Sequence, residues 1–320
     1  MTELRTAGAG RRTLERPLLA PWYRAVRDGD RLLFEHAGEV VELRGQAVEA
    51  LLPALLPLLD GSHTVTEIVE QLGEGAEPPV LKALDALRSH GLLTEGPAVA
   101  ADAVAPTYVA AVCPGATLSS SLERLAASLA VVVGSSRCAR QIGELLVRSG
   151  VRVRYGSFAP ETRGADIVVA APDTDEVAQL RALNDRRLRD GGPWLAVLPN
   201  DGRFVGVGPL HLPGQTACHV CYLSRRASTS GYEAEFAAVE EQPVAAPTPD
   251  AIGAIAAGLA ALICVRWLAA ADPTLPGVLW SFETSGLPVL ERHRVLRVPR
   301  CPACGVPAPA PNPWFKALDA

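Results

Sequence analysis

Along the chain the apolar pattern is first strand-like and then helical. Residues 22–27 (WYRAVR), 31–35 (RLLFE) and 39–43 (EVVEL) are short strand-like runs parted by the turn signals Asp28-Gly29-Asp30 and Ala37-Gly38. They predict a small antiparallel meander. Val48, Leu51, Leu52, Leu55 and Leu59 then fall at helical spacings of three and four. Pro53 and Pro57 lie inside that pattern, so this helix must bend or break. Thr64 and Glu67 form a capping box for a second helix whose face is Val65, Ile68, Val69 and Leu72. A third helix starts at Pro78-Pro79, where a missing N–H costs little, presents Val80, Leu81, Leu84 and Leu87, and stops at Gly91. Three strands followed by three helices read as a winged-helix-like unit ending near Glu95. Residues 1–20 carry no apolar period and read as a flexible arm.

The stretch 97–106 is rich in Ala and Pro and reads as a linker. Beyond it, strands at 130–133, 151–155, 167–170 and 194–198 alternate with helices at 137–148 and 175–189. That alternation predicts an α/β domain over 107–320 with a mainly parallel sheet. Further strand-like runs occupy 203–207, 278–282 and 289–298. The most apolar stretch, 251–265, is interrupted by Arg266 and reads as a buried helix rather than a bilayer span.

Composition narrows the class. Of 320 residues, 48% are hydrophobic and 20% charged, which suits a packed protein and excludes a wholly disordered one. A net charge of -5 implies no general attraction to nucleic acid or membrane. The N-terminus has no apolar signal core, so a cytoplasmic location is expected. Lys82 and Lys316 are the only lysines.

Chemistry is concentrated in cysteine. Cys218 and Cys221 form one C-x-x-C turn, Cys301 and Cys304 another, and two such turns supply the four thiolates of a tetrahedral structural zinc. Two unrelated pairs, or one redox pair, are the alternatives. With four Cys ligands no position remains for a catalytic water. Cys113, Cys138 and Cys264 read as small buried residues. Gly134-Ser135-Ser136-Arg137 follows a strand and opens a helix, where a nucleotide fold places its glycine loop. Only the first glycine is present, and Gly156-Ser157 after the next strand offers no acid for a ribose. Asn184-Asp185 reads as a solvated helix face.

Several segments carry a resemblance to known families. WYRAVRDGDRLLFE, VVELRG, LLDGSHTVTEIVEQL and VLKALDALRSHGLL, in that order, make residues 21–96 resemble the PqqD-like winged-helix module called a RiPP recognition element. VVVGSSRCARQIGELLVRSG, DIVVAAPDTDEVAQLRALND, PGQTACHVCY and CPACG make the remainder resemble the E1/ThiF-like fold, which carries a structural zinc on two C-x-x-C pairs. Their fusion resembles the ocin-ThiF-like proteins of azole-containing peptide and thiopeptide biosynthesis. That resemblance implies a chain that binds a precursor leader peptide and presents it to a separate YcaO cyclodehydratase. The family's phosphate lysine is absent, since no lysine lies between Lys82 and Lys316, and Ala170-Ala171-Pro172-Asp173 retains at most a remnant of the magnesium-binding pattern.

The expectations are therefore these. The fold is α/β, a winged-helix module followed by a Rossmann-type E1/ThiF-like domain with zinc on Cys218, Cys221, Cys301 and Cys304. The chain is not itself an enzyme, and no ATP is expected. An extended leader adds a strand beside Val40, Val41, Glu42 and Leu43, with Leu81, Leu84, Asp85 and Arg88 on the other wall. Nucleic acid and membrane are not partners, and homodimerisation is left open. An active E1-like enzyme adenylating a peptide carboxylate is the alternative. A winged-helix DNA regulator is disfavoured, because 78–90 carries only Lys82 and Arg88 against Asp85.

Overall fold

Period-two burial builds the first sheet. Strands β2 (Arg24–Asp28), β3 (Arg31–His36) and β4 (Glu39–Arg44) pair antiparallel in sequence order. Leu32 and Phe34 of β3 are buried, and Val41 and Leu43 of β4 pack onto the same core. The proline-bearing segment breaks as its sequence demands, into α1 (Gln46–Ala50), α2 (Leu52–Leu55) and a 3-10 turn at Leu56–Leu58. In α3 (Val65–Leu72) the capping box is complete: the Glu67 amide donates to Thr64 Oγ1 at 3.2 Å, and the Thr64 amide donates to Glu67 Oε2 at 2.7 Å. Helix α4 (Glu77–Ser89) buries Val80 and Leu87.

The computed structural model describes residues 14–96, 103–158, 162–240, 242–243, 246 and 248–305. Within the expected arm, residues 1–13 lie outside the described residues, but Pro17–Leu19 form strand β1, paired antiparallel with β5 (Leu93–Glu95). Leu18 is buried there, and no alternating run of useful length announces so short a strand. Of the expected linker, 97–102 lie outside the described residues, while Val104 already opens α5 (Val104–Val112). The chain divides into two compact units, Met1–Leu122 and Glu123–Ala320, which meet in sequence within α6 (Leu118–Ala127).

The second unit is a seven-stranded mixed sheet in the order β12-β11-β10-β9-β8-β6-β7. Strands β6 (Leu129–Val133), β7 (Arg152–Gly156), β8 (Ile167–Ala170) and β9 (Trp194–Leu198) run parallel, linked in part by α7 (Arg137–Arg148) and α8 (Gln179–Asp190). Strands β10 (Phe204–His211), β11 (Val278–Glu283) and β12 (Leu290–Arg294) are antiparallel. The sheet is thus less parallel than the alternation suggests. The links β9–β10 and β11–β12 are too short for a crossover, so they turn back as hairpins. Between β10 and β11 run α9 (His219–Ser230), α10 (Phe236–Glu240) and α11 (Asp250–Ala270). Among the described residues, α11 is the one helix long and apolar enough to cross a membrane; half of its most apolar window is buried, against α7, β9 and β10.

Two buried histidines sit under the sheet. His211 stacks on Trp194 with ring centroids 4.4 Å apart, and its Nδ1–H donates to the Ala217 carbonyl at 2.7 Å. Burial pushes its pKa down to about 4 and that of His219 to about 3. Both are neutral in the fold, whereas the unfolded chain protonates them below about pH 6.5. Stability is therefore expected to decline as pH falls from about 6.5 towards about 4, visible as a falling urea midpoint. His211→Gln, which retains a donor for Ala217, flattens part of that slope. In the first unit, Phe34→Ala is expected to cost about 3–5 kcal/mol by chemical denaturation.

Candidate nucleotide pocket, metal centre and peptide-binding module

A close backbone approach builds the first site. Gly134, between β6 and α7, has φ +119°, and a Cβ there would lie 2.1 Å from the Ala171 carbonyl oxygen, so both conformation and space require glycine. Ser136 caps α7. Its Oγ accepts from the Ala139 amide at 3.0 Å and donates to the Ala171 carbonyl at 2.8 Å. The turn is thereby tied to the loop after β8. Above it lies a cavity of about 380 Å³. Ser136, Asp173, Pro199 and Asp250 stand on its walls, and Val205 and Ala256 belong to its apolar side. It opens at the carboxyl ends of β6, β8 and β9, where the strand order reverses and doubly wound sheets bind ligands. Arg137 Nη1 donates to Asp250 Oδ2 at 2.6 Å. Cys138 also lines the cavity, but burial pushes its thiol up to about 12, so it is no nucleophile.

The four called cysteines converge. Sγ–Sγ distances are 3.8 Å for Cys218–Cys221, 3.7 Å for Cys218–Cys301 and 3.5 Å for Cys221–Cys304, and all four lie within 4.8 Å of one another. A tetrahedron with Zn–S bonds of about 2.3 Å has edges of about 3.8 Å, so the cluster fits zinc. Burial pushes the Cys218 and Cys221 thiols up, which disfavours a knot of thiolates without a central cation. The Val298 amide donates to Cys221 Sγ at 3.3 Å, and a Cβ on Gly305 would strike the Cys301 carbonyl at 2.4 Å. Asn184 is fully buried and accepts the His219 amide at 2.9 Å. It anchors the first knuckle and is no solvated face, a role that only the packing of α8 on α9 reveals.

In the first unit, Val40, Val41, Glu42 and Leu43 lie on β4, one of the two edge strands of its sheet, with Val40 59% exposed. Leu81, Leu84, Asp85 and Arg88 share one flank of α4 and line a cavity of about 620 Å³. Its opposite wall is Leu14, Glu15 and Pro17 with the start of α3; β4 is not among its lining residues.

No protein-family model matches the chain, and no curated protein matches it. Solved structures do. The heterocyclase TruD aligns with 91% of the chain at 25% identity and a TM-score of 0.70, and a heterocyclase in complex with substrate and cofactor aligns with 91% at 23% and 0.72. E. coli MccB with ATP aligns with 90% at 14% and 0.59, covering 99% of that chain. The fold is E1/ThiF-like, of the kind found in these peptide-modifying proteins. The chain spans under half the length of the heterocyclases, 43% and 40%.

Two expectations are corrected here. A chain without ATP and without enzymatic activity does not agree with neighbours that include MccB bound to ATP and to AMPCPP. Both expectations rested on the altered glycine loop, the missing ribose acid, the remnant of the magnesium-binding pattern and the absent phosphate lysine. In the structure the Ser136 hydroxyl is engaged by its cap and by the Ala171 carbonyl, and Arg137 places a cation at the cavity. Glu176 and Asp250 escaped the sequence reading. The available signals were the acidic run Asp173-Thr174-Asp175-Glu176 and the acid opening an otherwise apolar helix.

Freshly purified reduced protein is expected to carry one zinc per chain by elemental analysis. Cys301→Ser should lose that metal and lower the melting temperature, because binding is part of the folding free energy. Gly134→Ala is expected to destabilise the α/β unit by about 2 kcal/mol or more in chemical denaturation.

Proposed function

We propose that this chain is an ATP-using E1-like protein that modifies ribosomally made peptides, its first unit holding the precursor's leader. The observation that carries the reading is the cavity at the carboxyl ends of β6, β8 and β9, in a chain whose fold aligns along nine-tenths of its length with MccB. MccB is described with AMPCPP and the peptide MccA together, which supports nucleotide and peptide as co-ligands here. The reaction proposed is adenylation. A peptide carboxylate oxygen attacks the α-phosphorus, pyrophosphate leaves, and an acyl adenylate results. This chain's residues contribute anion-binding groups at the head of α7 and a floor that excludes water through Val205 and Ala256. The zinc cluster is structural, because four thiolates leave no open coordination position.

The leader is proposed to extend the first sheet at β4, where the backbone of Val40–Leu43 is unpaired on one side. Leu81, Leu84, Asp85 and Arg88 are proposed to take side chains of the same peptide in their cavity. A second reading has its own support. The likeness to TruD, over less than half of that protein, favours a role as one subunit of an ATP-dependent heterocyclase completed by a separate YcaO-type chain.

ATP–pyrophosphate exchange that depends on added precursor peptide is the expected result for the first reading. Azoline formation only when a YcaO-type protein is added, with no exchange by this chain, would transfer the assignment to the second. By fluorescence polarisation, a labelled leader is expected to bind Arg88→Glu about tenfold more weakly than the parent. Val41→Pro, checked for folding by circular dichroism, should also weaken binding, since it distorts the edge strand. Unchanged binding in both variants would place the leader elsewhere.

A further inference from the structure

The charges around the nucleotide cavity are already partly satisfied by the protein itself. Glu176 Oε2 accepts two backbone amides, from Ser135 and from Asp173, both at 2.8 Å. Of these residues Asp173 lines the cavity, and Ser135 precedes its lining residue Ser136. A carboxylate thus sits where two N–H groups converge beside the head of a twelve-residue helix, a position suited to an anion. The second anion is Asp250, which opens α11 and holds the guanidinium of Arg137. Arg137 is the single cationic side chain among the cavity's lining residues. Its side chain is 72% exposed and that of Asp250 66%, so the pair is open to solvent and weakly held. Among the described residues of this unit there is no lysine, the compact cation commonly used for phosphate.

We propose that Arg137 is the phosphate-binding cation of this cavity, and that Asp250 and Glu176 are resident anions which the phosphates of a nucleoside triphosphate displace. This rests on the nucleotide reading above and deepens it. Each anion-binding element is paired with an internal carboxylate, Arg137 with Asp250 and the Ser135 and Asp173 amides with Glu176. Binding then exchanges one anion for another: Arg137 passes from Asp250 to a phosphate oxygen, and the Ser135 and Asp173 amides are released by Glu176. A planar guanidinium donates two parallel hydrogen bonds to a phosphate, so Arg137 suits the role geometrically as well as by charge. The exchange favours ligands that bring at least two phosphate groups, one for each displaced carboxylate, and so discriminates triphosphate from monophosphate.

The test is calorimetric titration of the full-length chain with ATP and, separately, with inorganic tripolyphosphate. Both are run in EDTA, so that no divalent cation recruits the carboxylates. Arg137→Gln is expected to weaken both ligands about tenfold or more, while Arg137→Lys, which keeps the charge but not the paired donors, weakens them less. Asp250→Asn and Glu176→Gln are expected to tighten both several-fold, since each removes a competing charge; the Gln keeps an oxygen for the turn amides. Melting curves establish that every variant is folded. Equal binding by Arg137→Gln and the parent, with ATP still bound, would overturn the proposal and leave the nucleotide reading standing. Weaker binding in both acid variants would also overturn it, because the carboxylates would then be ligands rather than competitors. Binding of neither ATP nor tripolyphosphate by the parent or any variant would remove the nucleotide reading itself, and the proposal with it.

Discussion

The contact between Gly134 and the Ala171 carbonyl is the constraint on which the α/β unit's chemistry depends. Two backbones meet with no room for a side chain. That closeness brings Ser136 within reach of both its own helix amide and the neighbouring loop. One hydroxyl then caps α7 and ties β6 to β8. Everything that gives the cavity its character follows from where this turn is held: the exposed Ser135 amide, the Arg137 guanidinium at the start of the helix, and the opening between the ends of β6 and β8. A single glycine suffices because the turn needs only one positive φ and one close approach. The other positions of a glycine-rich loop are filled by residues whose side chains have work elsewhere in the turn.

The opposite half of the sheet is held by different means. Hairpin connections make β10, β11 and β12 antiparallel, and among the described residues no strand follows β12. The cysteine cluster returns the chain to the start of α9. Asn184 on α8 holds the His219 amide, so the first knuckle is also tied to the parallel half of the sheet. The cysteine cluster and the sheet share a neighbour: His219, next to Cys218, packs on Trp194, on which His211 also stacks.

In the first unit the same economy appears in smaller form. A three-stranded sheet covers its inner face with Phe34 and Leu32, while β2 and β4 are its edge strands. Charged side chains on the β4 edge, Glu42 and Arg44, bond to each other and guard it against indiscriminate pairing. The flank of α4 with Leu81 and Leu84 faces a cavity whose far wall comes from Leu14, Glu15 and Pro17 and from the start of α3. Edge and cavity are separate features, which is why one substitution in each is needed to locate a bound peptide.

Local signals in the sequence determined much of this protein. The period of two in β3 and β4, the proline breaks after Val48, the Thr64–Glu67 capping box and the four-cysteine spacing each depend on residues near one another in the chain, and each appears in the structure as read. The glycine before Arg137 marked the turn but not the cavity above it. What only the tertiary structure decided were relations between distant segments. The pairing of Pro17–Leu19 with Leu93–Glu95 has no local signature. Asn184 became a buried anchor because α8 packs on α9. Arg137 met Asp250, and Glu176 met Ser135, across separations of 113 and 41 residues. Period and spacing report on neighbours within a few residues, whereas the charge balance of this pocket is set by loops that meet only after the sheet has ordered its strands.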